Sequence, residues 1–83
     1  MKTTKEMIYE LMEQSTTTWG TETNVIGSFT SKDDADKKLE ELYNTNKTNR
    51  KYSVSYNKGE SMKIVVIEHP KFSTLYTIKR VNG

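Results

Sequence analysis

Cysteine is absent from the chain. Its absence excludes a disulfide framework and any thiolate chemistry, and it fits a reducing cytosol. Histidine occurs once, as His69, so a zinc site built on several histidine or cysteine ligands is excluded. The four glycines are scattered singly and form no phosphate-cradling loop. Proline occurs once, at Pro70. Apolar residues make up only 33% of the chain and mean hydropathy is -0.83. No apolar run approaches the ~20 residues of a membrane span. The opening stretch MKTTKEMIYELMEQ is charged throughout and lacks the apolar segment of a signal peptide, so none is expected.

What is present in 83 residues is enough for one small domain, residues 1–83, with a thin core. Small domains of this kind often gain stability by self-association. The eight aromatic residues and the regular spacing of the apolar ones argue against disorder. The net charge of +2 is unevenly placed: residues 1–42 carry −4 and residues 43–83 carry +6. Such a split points to a basic working half or to head-to-tail association, with simple solvation of exposed faces as the plain alternative.

The firmest local pattern is a helix after Ser31. Ser31 is placed to cap it, with Asp34 three residues on as a short form of the capping box. Asp33, Asp34 and Asp36 fall in the first turn, where the helix dipole favours negative charge. Capping explains this acidic cluster without a metal. Ala35, Leu39, Leu42 and Tyr43 recur at helical spacing and give one apolar stripe. The polar stretch NTNKTNRK, residues 44–51, reads as a connection.

Residues 52–81 read as three strands. YSVSY alternates strictly, and a three-residue loop, residues 57–59 with Gly59 left-handed, closes a hairpin onto ESMKIVVIE. That register sets Tyr56 against Glu60, Val54 against Met62 and Tyr52 against Ile64. A second turn at residues 68–72 sets Ile64 against Tyr76, Met62 against Ile78 and Glu60 against Arg80. The N-terminus admits two readings. Thr3 with Glu6 resembles a capping box, and Met7, Ile8, Leu11 and Met12 fit a helix. The preferred reading is a strand, residues 7–14, paired with residues 23–29 through a loop holding Trp19 and Gly20, because Val25, Ile26 and Phe29 need a partner. The expected fold is therefore α+β: an antiparallel β-sheet with one α-helix packed on one face, in the order β-β-α-β-β-β.

The stretch from Ile8 to Leu42 resembles small phage and bacterial domains in which a strand hairpin ends in IG-x-F and runs through Ser-Lys into an Ala-containing helix. The matching positions are Ile26, Gly27, Phe29, Ser31, Lys32, Ala35 and Leu39. The resemblance covers about the first half of the chain. It implies the fold and transfers no catalytic residue, since these positions are a strand end, a cap and a helix stripe. The small size and the abundance of Lys, Asn and Thr also look like a phage or prophage gene.

Catalysis by a nucleophile needs a base within hydrogen-bond reach and a group to orient it. The base would have to be His69, which sits beside Pro70 in a predicted turn and reads as a solvated loop residue. Glu10, Glu13, Glu22 and Glu68 could meet in space, but nothing marks them. The expectation is a non-enzymatic protein without metal or cofactor.

The strand register divides the sheet. Tyr52, Val54, Tyr56, Met62, Ile64, Val66, Tyr76 and Ile78 share the face given to the helix. The opposite face collects Lys51, Ser53, Lys63, Val65, Ile67, Leu75, Thr77 and Lys79, with Val65 and Leu75 as expected direct partners. That is an apolar strip rimmed by lysines, the usual mark of an interface. It is expected to take a protein partner or a second copy, unless the N-terminal segment is a helix that covers it. The alternative function is weak nucleic-acid binding by the basic half through Arg50, Lys51 and Arg80, although a net charge of +2 is low for a phosphate binder. Trp19 is either a partner anchor, as tryptophans often are, or a lid folded onto the core.

Overall fold

The structure is a computed structural model and describes residues 7–82. It contains strands β1 (Met7–Thr17) and β2 (Gly20–Phe29), helix α1 (Lys32–Asn46), and strands β3 (Tyr52–Asn57), β4 (Ser61–Val66) and β5 (Ser73–Asn82). The strands form one antiparallel sheet in the order β2-β1-β5-β4-β3 with the helix packed across it, so the chain has the expected α+β fold. The last strand lies between the N-terminal hairpin and the β3–β4 hairpin and joins them.

The N-terminus is a strand from residue 7 onward; Thr3 and Glu6, which suggested a helix cap, lie outside the described residues. A helix would have put Ile8, Leu11 and Met12 on one side. The run of threonines that follows favours extended backbone, and residues 20–29 supply a partner strand. Pleating then sends Leu11 alone into the core, fully buried. The hairpin closes tightly over Thr18 and Trp19, with Gly20 at φ 132°. Thr17 Oγ1 accepts the Trp19 N–H at 3.2 Å. Further down, Leu11 faces Gly27 while Met12 faces Val25, so Ile26 is the extra residue of a β-bulge. The bulge reverses the pleat, so that Phe29 packs against the core while Val25 sits on the far face.

Helix α1 begins as expected. Ser31 is extended (φ −136°, ψ 151°) and its Oγ accepts the Asp34 N–H at 3.1 Å. Ala35 and Leu39 are fully buried, with Leu42 and Tyr43 packed beside them. The helix runs further than the sequence suggested. Asn44, Thr45 and Asn46, assigned to a connection, form its last turn. The Thr45 hydroxyl donates to the Glu41 carbonyl at 2.8 Å and the Asn46 amide to the Leu42 carbonyl at 2.7 Å, while the Lys47 N–H continues to Tyr43 O.

The two C-terminal hairpins keep the expected faces but not the expected register. Tyr56 faces Met62, Val54 faces Ile64 and Tyr52 faces Val66. The loop has three residues, as expected, but they are residues 58–60. Gly59 (φ 76°) takes the third position of a turn closed by the Glu60 N–H on Asn57 O at 2.9 Å, where a type II turn needs positive φ. Across β4 and β5, Met62 faces Tyr76 and Ile64 faces Thr74 in place of the expected pairs, and Glu60 has no register with Arg80; its carbonyl instead accepts the Ile78 N–H. The connection is residues 67–72, longer than the turn assigned, because two successive turns close it: His69 N–H to Val66 O and Phe72 N–H to His69 O. Both registers slip by two residues, one full side-chain period, so no side chain changes face. The core is Leu11, Ala35, Leu39, Met62, Ile64 and Tyr76, enclosed by Phe29, Leu42, Tyr43, Tyr52, Val54, Tyr56 and Ile78.

Candidate functional site

The polar groups inside the fold do structural work. Asp36 is the buried charged residue of the core, 8% exposed. Its carboxylate accepts the Tyr56 hydroxyl and the Gly59 N–H, each at 2.7 Å, and so ties the helix to the β3–β4 turn. On the other side of the core, the Tyr76 hydroxyl donates to Glu13 at 2.8 Å. Burial, then the hydrogen bond to Asp36, pushes the Tyr56 phenol up to about 12. Burial, then Glu13, does the same for Tyr76. Both phenols are thereby held as donors rather than prepared to give up a proton. Of the four candidate glutamates, Glu13 serves Tyr76, Glu22 accepts from the amide of Asn24, and no group of three His, Cys, Asp or Glu among the described residues could hold a metal ion. His69 is an exposed loop residue, set edge-on to Phe72 at 6.0 Å.

The sheet face opposite the helix is built by simple alternation. One row across it runs Ser53, Val65, Ser73, Thr16, Thr21; the next Ser55, Lys63, Leu75, Gln14, Thr23; the next Asn57, Ser61, Thr77, Met12, Val25. Val65 and Leu75 are thus not direct partners, as the sequence register implied: Val65 faces Ser73 and Leu75 faces Lys63. They are diagonal neighbours, and the diagonal continues. Moving one strand over and one row along leads from Val65 to Leu75 and then to Met12, and Val25 lies directly across from Met12. Ile67, just past the end of β4, extends the line and is 54% exposed. Hydroxyl groups of Ser and Thr flank this stripe on both sides. No described element covers it, because residues 7–14, which might have packed there as part of a helix, lie in a strand within the sheet.

Lys63 and Lys79 are exposed on this face, and Lys51 lies exposed at its border. Lys79 stands across from Glu10, so the uncompensated positive charge lies at Lys63 and Lys51. Trp19 does not fold back as a lid: it is 89% exposed at the tip of the first hairpin. Strand directions bring Trp19, Ile67, Val65, Arg50 and Lys51 towards one end of the sheet. Arg80 sits at the other end, in a row with Tyr9 and Phe29. At ~3.3 Å per residue, Arg80 lies on the order of 30 Å from Lys51 along the strands, so the three cations proposed for nucleic acid do not converge. No helix among the described residues is long and apolar enough to cross a membrane.

The chain matches no family model, no curated protein and no solved structure. Its surface chemistry is therefore the ground for a functional reading. Sequence reasoning found Val65, Ile67 and Leu75 but missed Met12 and Val25. Their place beside Leu75 depends on β5 pairing with β1, a contact between the two ends of the chain that no local pattern announces.

Proposed function

We propose that the chain is a non-enzymatic protein-binding module, of the kind a phage or mobile element carries to engage or inhibit a host protein, and that it binds through the uncovered sheet face. The observation that carries this reading is the diagonal apolar stripe Ile67, Val65, Leu75, Met12 and Val25, which no described element covers. Val25 and Ile67 are exposed and Met12, Val65 and Leu75 half-buried, and apolar residues joined into one such strip on a sheet face are the usual mark of an interface. Lys51 and Lys63 beside the strip favour a partner with an apolar centre and an acidic rim. Trp19, at the same end of the sheet, supplies an exposed anchor of the type that dominates binding energy.

The test is a tagged pull-down from bacterial lysate with the parent chain, Val65→Asp, Leu75→Asp and a control Asp substitution at the exposed helix residue Lys37. Expected is one protein retained after nuclease by the parent and by the control, and lost with both face variants while their circular dichroism is unchanged. Capture that the face variants leave intact overturns the surface assignment. Capture that disappears with nuclease or moderate salt transfers the function to nucleic acid.

A further inference from the structure

We propose that two copies of the chain join edge to edge through β2, antiparallel and centred on Thr23, to give one continuous sheet. β2 is the outer strand of the sheet over ten residues, and along its free side its N–H and C=O groups meet no other strand among the described residues. Protective devices are nearly missing there. The strand has no Pro and no Lys, and its single charge is Glu22. The other edge, β3, is six residues long and bracketed by Arg50, Lys51 and Lys58. Self-pairing of β3 about Val54 would set Arg50 against Lys58 of the second copy at both ends, so that edge is guarded and β2 is not.

Symmetry and charge select the register. The outward groups of a strand alternate, so a two-fold antiparallel pair must centre on a single residue. The bulge at Ile26 breaks the regular strand and leaves Gly20–Val25 for pairing. A centre at Glu22 would oppose two carboxylates. A centre at Asn24 would run Glu22 into the bulged Ile26 of the second copy. A centre at Thr23 sets Glu22 opposite Asn24 of the second copy, twice by symmetry, and Thr21 opposite Val25. The two polar groups match: within one copy the Asn24 amide already donates to Glu22 Oε1 at 3.4 Å. Directly opposed residues bring their Cβ atoms to ~5 Å, within reach of the same amide. Val25, 49% exposed in the single chain, is covered in part by the Thr21 methyl of the second copy. The helices stay on one side, and the apolar stripes of the two copies lie on the other.

Analytical ultracentrifugation of the full chain over a concentration series is the test, with Thr23→Lys and Asn24→Lys alongside. The parent is expected to sediment as a dimer. Thr23→Lys opposes two ammonium groups at the axis and yields a monomer with unchanged circular dichroism, since Thr23 is exposed. Asn24→Lys faces Glu22 and tightens the dimer several-fold. A parent that stays monomeric at every concentration overturns the proposal. So does a dimer that survives Thr23→Lys, or one that Val65→Asp dissolves while Thr23→Lys does not.

Discussion

At the scale of single residues, Asp36 is the side chain on which the most depends. One carboxylate holds both a tyrosine of β3 and the backbone of the turn that follows. Asp36→Ala leaves the half-buried Gly59 N–H and Tyr56 hydroxyl without their acceptor, and a donor shielded from water that loses its partner costs more than a hydrogen bond contributes. Urea unfolding is expected to register a loss of about 2 kcal/mol for Asp36→Ala and about 1 kcal/mol for Tyr56→Phe, which keeps the Gly59 contact. The phenols also give the fold an alkaline limit. Tyr56 and Tyr76 hold their protons up to about 12 when folded, against 10.0 for a free phenol. The folded state binds those protons more tightly, so the stability they confer is whole below about pH 10 and is lost as pH rises towards 12. Unfolding free energy measured across that range should fall with pH, and less steeply in Tyr56→Phe and Tyr76→Phe. A flat profile in the parent would contradict the burial assigned to both rings. The acidic cluster was legible in the sequence as a helix start, and Ser31 with Asp33 and Asp34 bears that out. Asp36 was not separable from its neighbours, because its partners lie 20 and 23 residues away.

At the scale of elements, the β3–β4 turn is held by conformation more than by packing. Gly59 has φ 76°, and a Cβ built there would approach the Lys32 side chain at 3.3 Å. Lys32 is exposed and can move aside, so the cost of Gly59→Ala is mainly backbone strain, about 1 kcal/mol by thermal or urea unfolding. Gly27 is limited by space instead. A Cβ there would meet the Phe29 ring at 3.0 and 3.1 Å, and that ring packs against the core. Gly27→Ala should cost about 1 kcal/mol through displacement of Phe29. The paired substitution with Phe29→Leu should cost less than the sum of the two singles, which a double-mutant cycle reads directly. Element types and faces were legible because the periods of 3.6 and 2 are written in the side chains. Registers were not. A slip of two residues preserves every face, so the apolar pattern cannot choose between them, and the choice fell to the Gly59 N–H on Asp36 and to the double turn after Val66.

At the scale of the whole molecule, the order β2-β1-β5-β4-β3 makes the last strand the joint. Each hairpin is local, but the two share no ladder except through β5, whose partner β1 lies at the far end of the sequence. That closure is what the sequence alone could not supply. It is also what assembles the stripe, since Leu75 on β5 stands between Val65 on β4 and Met12 on β1. Deleting residues 73–83 therefore leaves both hairpins and the helix covalently intact and removes the strand between them. It takes Tyr76 and Ile78 out of the core and leaves Leu11 and Met62 with no strand between them. Isolated two-stranded hairpins are marginal in water, so the shortened chain should lose its cooperative melt rather than keep half of it. In the full chain the same topology predicts the order of amide protection. Amides in the stretches of β1, β4 and β5 paired on both sides, Ser73–Thr77 in β5, should exchange only by global unfolding, whereas the free-edge amides of β2 and β3 should exchange by local opening. Dimerisation through β2 would raise the protection of Thr21–Val25 with protein concentration and leave β3 unchanged, so a single exchange experiment at two concentrations reads both the joint and the edge.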